Sequence, residues 1–263
     1  MTSRWGAPLS GVLLLAACSS PLAAQPVELT VYAAASLGNV MERVEAAYET
    51  AAPGINLVVA TDSSGALRTQ IEQGAPADVF LSADTVNPQR LFDDQLVDTS
   101  GLTFFAGNTL VVIVPADNPA GIRTPADLAR EGMRIVAAGD EVPITGYATQ
   151  VVDALAELPD YPTDFADAYA ANVVSREDNV RAVVAKIQLG EGDAAFVYQT
   201  DALASESVRS VALPNEAAYV PVFYAGVVIA TSAHPEAARA FLHWLTGPDG
   251  RAILAEFGFL PPS

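Results

Sequence analysis

The sequence predicts an α/β fold, a mostly parallel sheet covered on both faces by helices. Three observations carry that prediction. Short apolar runs alternate with stretches of three- and four-residue apolar periodicity along nearly the whole chain. With 263 residues, 51% of them apolar and 17% charged, there is ample core-forming sequence for one large domain or two modest ones. Helix starts bearing Ser, Thr or Asn recur directly after the strand-like runs.

Residues 29–34 form the first strand, and the spacing of Val40, Val44, Ala47 and Tyr48 predicts a helix over 37–51. Ser36 falls at the turn between them, in N-cap position. There its hydroxyl and the unpaired amides of the first helical turn face one space. Pro53-Gly54 breaks the chain before a second strand over 55–60. Thr61-Asp62-Ser63-Ser64-Gly65 leads into a helix over 66–73, with Leu67 and Ile71 inward, and 74–77 stop it. A third strand over 78–82 precedes a helix around 88–94, and 109–115 is apolar throughout.

In the second half, Thr124-Pro125 opens a short helix, with Thr as cap and Pro at the first helical position. A strand over 134–138 follows, then a helix over 146–158 whose start is marked by Pro143-Ile144-Thr145. Residues 175–179 lead into a helix from about 180 to 189. Strands are expected over 194–198, 208–213 and 220–231, then two terminal helices, 235–246 and 248–257, separated by Gly247.

Four helix starts are thus alike: Ser36, Ser63-Ser64, Ile144 and Asn179-Val180. An ordinary cap without a ligand accounts for any one of them. Open α/β sheets bind anions where helix N-termini meet the carboxyl ends of strands, so several such starts can surround one small anion. The formal charge of −18 excludes a nucleic-acid binder, which needs a basic face, and leaves any anion site to local dipoles.

The first residues read as a targeting segment: Arg4, a short apolar core over 12–17, then small residues. The only cysteine, Cys18, ends Leu15-Ala16-Ala17-Cys18, which resembles the lipobox of bacterial lipoproteins. That resemblance implies a signal peptide over 1–17, a lipid on Cys18, and a short tether over 18–26. Simple secretion is the alternative, with cleavage after Ala24 disfavoured by Leu22. One cysteine permits no disulfide within the chain.

Several motifs, in order, resemble one family. They are Val31-Tyr32-Ala33-Ala34-Ala35-Ser36-Leu37, Ser63-Ser64-Gly65-Ala66-Leu67 and Gly74-Ala75-Pro76-Ala77-Asp78-Val79-Phe80-Leu81-Ser82-Ala83-Asp84. Gly107-Asn108-Thr109-Leu110, Val142-Pro143-Ile144-Thr145-Gly146-Tyr147, Glu177-Asp178-Asn179-Val180-Arg181, Val197-Tyr198-Gln199-Thr200-Asp201 and Phe257-Gly258-Phe259 continue the match. Together they resemble the molybdate-binding proteins of ABC transporters, from residue 27 onward. The resemblance implies a type II periplasmic binding-protein fold, two α/β lobes with a ligand cleft and two crossover strands. Lobe I would hold 27–107 and 222–263, and lobe II 108–221. It further implies an extracytoplasmic receptor that captures molybdate or tungstate for a membrane permease, expected to be a monomer and, from the lipobox, anchored through Cys18.

In that family the anion is held by neutral donors. The resemblance maps these to the hydroxyls of Ser36 and Ser64, with Ser63 beside it, the backbone amides of Ile144 and Val180, and the Tyr198 hydroxyl. Molybdenum would enter only inside the oxyanion, through the same residues, and no cofactor is implied. Hydroxyl and amide donors can surround a dianion without burying cations, and in a low-dielectric cleft such bonds are strong.

Two residues depart from the family pattern. Ile144 replaces a small residue and would narrow the cleft wall, and Asp62 places a carboxylate before the serine pair. Both motivate an alternative ligand, another tetrahedral oxyanion such as sulfate. Tyr198, read without the resemblance, is a strand tyrosine with its ring in the core. Arg181 reads as a surface or lobe-stabilising residue, and Ser82 and Asp84 as turn and capping residues. A serine hydrolase lacks support, because no Gly-x-Ser-x-Gly elbow surrounds the serines and neither His234 nor His243 sits in a triad motif. The two histidines lack the partners of a metal centre, and the only lysine, Lys186, lies in no phosphate loop.

Overall fold

A computed structural model describes residues 1–2, 26–218 and 220–262. The expected signal peptide beyond residue 2, Cys18, and the tether up to residue 25 lie outside the described residues. From residue 27 the order is β1 (Val27–Ala34), α1 (Gly38–Ala51), β2 (Ile55–Asp62), α2 (Ser64–Glu72), β3 (Val79–Ser82), α3 (Val86–Asp93), β4 (Thr103–Asn108) and β5 (Leu110–Pro115). Next come β6 (Ile135–Ala138), α4 (Pro143–Ala156), α5 (Phe165–Ala171), β7 (Val173–Glu177), α6 (Val180–Gln188), β8 (Ala195–Tyr198), α7 (Gln199–Leu203) and β9 (Val208–Val211). The chain closes with α8 (Asn215–Ala218), β10 (Val222–Val228), α9 (Pro235–Leu245) and α10 (Pro248–Glu256).

Two sheets organise these elements into two α/β lobes. The first has the order β2-β1-β3-β10-β4, with β1 parallel to β2 and β3, and β10 antiparallel to β3 and β4. In the second, β5 lies antiparallel between β8 and β9, and β6 pairs parallel with β7. A parallel bridge from Ile135 to Ala194, with the Val136 N–H donating to the Ala194 carbonyl at 3.0 Å, joins β6 to the start of β8. The second sheet therefore reads β7-β6-β8-β5-β9, the same order and directions as the first. Only Thr109 separates β4 of one sheet from β5 of the other.

The apolar pattern explains where the core sits. All six residues of β5 are buried, as a strand covered on both faces requires. Helix α1 buries Val40, Met41, Val44 and Tyr48, one helical face. The Tyr48 ring meets Phe241 and Trp244 of α9 with centroids 5.0 and 5.1 Å apart, which packs the end of the chain onto its beginning. Helix α6 likewise buries Val180, Val183, Val184 and Ile187.

The expected start of α1 needs correction. Residues Ala35–Leu37 form a single 3₁₀ turn, the α-helix begins at Gly38, and Ser36 makes no capping bond. Its hydroxyl is engaged instead by Tyr224, as described below. The structure also adds β4, α5, β7, α7 and α8, which apolar periodicity did not indicate. Strand β7 is half-exposed and carries Ser175, Arg176 and Glu177, so it shows no apolar run.

Candidate functional site

The parallel strands of each sheet deliver their C-terminal ends to the helix starts singled out above. Ser36 follows β1, Ser63-Ser64 follows β2, Ile144 lies in the first turn of α4 after β6, and Val180 is the first residue of α6 after β7. Tyr198 ends β8. All six are buried.

Their hydrogen bonds differ in kind. Ser63 is the N-cap of α2, its Oγ accepting from the Ala66 N–H at 3.3 Å. Ser64 Oγ accepts from the Ala83 N–H at 3.0 Å, which leaves its own proton to donate elsewhere. Asn179 caps α6, its Oδ1 accepting from the Ala182 N–H at 3.0 Å. Helix geometry gives the first-turn amides of Ile144 and Val180 no acceptor inside their own helices. Ser36 Oγ lies 2.9 Å from the Tyr224 hydroxyl. The Tyr198 hydroxyl is sealed from solvent and has no partner among the described residues. Burial drives its ionisation far above the usual tyrosine range, so it is a neutral donor.

Aromatic packing and close approaches bring these pieces together. The Tyr198 ring meets Tyr224 at 5.9 Å and Tyr147 at 6.4 Å, both edge-on, which links the end of β8 to Ser36 through Tyr224. A Cβ on Gly65 would lie 2.3 Å from the Glu141 carbonyl oxygen, so the start of α2 touches the turn before α4. One on Gly38 would lie 2.2 Å from Arg181 Nη1, and Arg181 Nη2 donates to Asn39 Oδ1 at 2.7 Å. Glycine is required at Gly65, where the neighbour is a backbone atom, whereas at Gly38 it is the end of the flexible Arg181 side chain. The starts of α2 and α4 thus face each other, as do those of α1 and α6.

The structure gives a setting for each of the two departures from the family pattern. Ile144 is buried and lines a cavity of about 210 Å³ together with Val152, Ala166, Tyr169 and Phe196. Asp62 Oδ1 accepts from the Ser63 N–H at 2.7 Å, so the carboxylate is held at the end of β2. Asp84 is buried and accepts from Ser82 Oγ, the Asn87 N–H and Asn87 Nδ2 at 2.8, 3.0 and 2.8 Å. Ser82 and Asp84 are therefore turn and capping residues, as expected. Arg181 bridges the lobes.

Sequence reasoning missed Tyr224 and Asn108. Tyr224 lies within the apolar run of β10 and reads as core, which its ring is; only its hydroxyl belongs to the site. Asn108 sits between two sheets at the β4–β5 crossover. Its quoted motif placed it near the site without giving it a role.

A family profile described as bacterial extracellular solute-binding protein matches residues 29–260. The molybdate-binding protein ModA of Mycobacterium tuberculosis (strain ATCC 25618 / H37Rv) is 35% identical over 235 residues, covering 89% of this chain and 85% of that protein. A putative ABC transporter substrate-binding lipoprotein, YvgL of Bacillus subtilis (strain 168), is 30% identical over 257 residues, covering 96% and 95%. Among solved structures, the substrate binding domain of a putative molybdenum ABC transporter from Clostridium difficile superposes with a TM-score of 0.67 at 30% identity, covering 90% of this chain and 100% of that one.

Proposed function

The chain belongs to the bacterial extracellular solute-binding proteins, a class of receptors rather than enzymes, and on that premise we propose that it captures molybdate or tungstate in the cleft between its lobes. The anion is held by the hydroxyls of Ser36, Ser64 and Tyr198 and the amides of Ile144 and Val180, with Ser63 in support. The protein works outside the cytoplasm and hands its ligand to an ABC permease.

One observation carries the reading. The Tyr198 hydroxyl is buried without a partner among the described residues, its ring against Tyr147 and Tyr224, at the end of a central strand. A sealed donor of that kind costs free energy unless something accepts from it, and an oxyanion is the acceptor that suits a neutral donor set. The relatives named for molybdate binding and for molybdenum transport support the choice of oxyanion. We take lobe I as 27–107 with 222–263, lobe II as 108–221, a monomer in solution, and a lipid on Cys18.

Isothermal titration of the mature domain with molybdate, tungstate and sulfate tests the ligand. Tight one-to-one binding of molybdate and tungstate, with sulfate far weaker, is expected. Sulfate binding tighter than molybdate overturns the ligand assignment. For the anchor, Cys18→Ala releases the protein from membranes, and a variant that still fractionates with them refutes lipidation.

A further inference from the structure

We infer that Tyr224, oriented by Asn108, is a positioning residue that fixes the Ser36 hydroxyl as a donor toward the ligand. The inference rests on Ser36 being a ligand donor, as proposed above, and goes further by assigning the direction of each proton behind it.

Hydrogen-bond chemistry favours one set of directions. The Thr109 N–H donates to Asn108 Oδ1 at 2.9 Å, so the oxygen of that amide is identified and its NH₂ group faces the other way. That NH₂ group reaches Thr200 Oγ1 at 2.9 Å and the Tyr224 hydroxyl oxygen at 3.4 Å. An amide NH₂ can only donate, so the Tyr224 oxygen accepts and its own O–H is directed elsewhere. The polar neighbour within reach is Ser36 Oγ at 2.9 Å. Ser36 then accepts from Tyr224, and its proton is left for a third group, the anion. Reversed, the serine would donate to tyrosine and present lone pairs to a dianion.

The position of these residues gives the relay a second meaning. Asn108 ends β4 at one crossover, Tyr224 lies in β10, and Thr200 belongs to α7 of lobe II. The proton order at Ser36 therefore depends on groups drawn from both lobes. Tyr224 is fully buried, and its ring meets Phe105, Tyr198 and Phe259 at 5.9, 5.9 and 5.4 Å. Its hydroxyl has little freedom to point anywhere else.

The test is a double-mutant cycle read by molybdate titration. Tyr224→Phe keeps the ring and deletes the hydroxyl, and we expect it to weaken molybdate binding roughly three- to tenfold. In a Ser36→Ala background the same change is expected to do almost nothing, because the group through which it acts is gone. A purely structural role predicts the same loss in both backgrounds, and that result overturns the inference. So does unchanged affinity on Tyr224→Phe alone. Should Tyr224→Phe fail to fold, Asn108→Leu tests the same relay, with the same dependence on Ser36 expected and the same outcomes overturning it. Ser36→Ala binding molybdate like wild type refutes the underlying reading of Ser36, a failure distinct from that of the relay.

Discussion

The two sheets share one strand order and one set of directions, yet they equip the cleft differently. In the first, the ends of β1 and β2 carry serines whose hydroxyls are the candidate donors. In the second, the corresponding ends of β6 and β7 deliver helix starts whose candidate donors are backbone amides. The third pair differs as well: β3 is followed by Asp84, a carboxylate fully engaged by Ser82 and Asn87, whereas β8 ends in Tyr198 with its hydroxyl unpaired. Even the caps correspond, Ser63 on α2 and Asn179 on α6. The comparison teaches that one topology can supply neutral donors by side chain or by main chain. Only the first is erased by truncating a side chain.

That asymmetry predicts the largest effects. Ser64→Ala and Tyr198→Phe should each cost roughly 1.5–3 kcal/mol of binding, the loss of a charge-assisted bond, or about ten- to a hundredfold in molybdate affinity. Val180→Ala should stay within about threefold, since the amide survives. Val180→Pro deletes that amide at the first helical position, where proline is tolerated. Asn179 before it is already extended (φ −158°, ψ 168°), as a residue preceding proline must be. We expect Val180→Pro to match the serine variant while its melting temperature stays near wild type. Equal losses for Val180→Ala and Ser64→Ala, by titration, would break the distinction between the lobes.

Next in size is the contact at which the lobes meet. Adding a methyl at Gly65 places it 2.3 Å from the Glu141 carbonyl oxygen, a backbone atom that can yield only if the lobes separate. Overlap of this kind costs roughly 1–3 kcal/mol. It should fall on ligand binding, with the unliganded protein melting as before. Gly146→Ala is the control, because nothing lies within 4 Å of a Cβ there. Calorimetric titration of both variants checks the pair, and equal affinities would mean that closure does not bring these segments together.

The acids that follow β3 and β8, Asp84 and Asp201, sharpen the comparison through pH. Burial raises both, but Asp201 Oδ2 has no partner among the described residues, and the group is pushed up to about 7 despite Arg181 nearby. The residue as a whole is only half-buried; the sealed oxygen is what matters. A carboxyl held above its ordinary value of 3.8 keeps its proton in the folded protein after the unfolded chain has lost it. Stability from this group is therefore full below about 4 and declines as pH rises toward 7. Asp201→Asn removes that decline. Its stability advantage over wild type should grow across that window to on the order of 1 kcal/mol, allowing for partial water access. Melting temperatures at pH 4, 6 and 8 give the answer, and a constant difference would place the titration elsewhere.

Much of the frame was legible because it rests on apolar pattern and helix-start chemistry. Val40, Val44 and Tyr48 announce α1, and the Ser63 and Asn179 caps announce α2 and α6. What stayed hidden depends on contacts between distant residues. Ser36 looked like a cap because it follows a strand, and only Tyr224, 188 residues on, explains why its hydroxyl is held elsewhere. Strand β7 lacked an apolar run because it is an edge, and the cavity that Ile144 lines is formed by residues distant in sequence.

The smallest expected effect concerns charge across the cleft. Glu141 Oε2 lies 3.4 Å from Arg68 Nη2 and 3.5 Å from Arg90 Nη1, pairing the turn before α4 with α2 and α3. The Glu141 side chain is 72% exposed, and Arg68 is already held by Glu72 at 2.5 Å and by Asn87 at 2.9 Å. Long, exposed contacts of this sort contribute about 0.2–1 kcal/mol. Glu141→Gln should thus weaken molybdate binding only about two- to threefold. Salt should abolish the difference, because exposed charges are screened within roughly a Debye length of 8–10 Å. Wild type should lose little more than this on moving to high salt, since the donors around the anion are neutral and shielded. Dissociation constants for both proteins at low and high NaCl decide the matter. If salt alone abolishes wild-type binding while Ser64→Ala and Tyr198→Phe bind normally, the anion is held by an exposed electrostatic patch. The donors at the strand ends would then have no part in it.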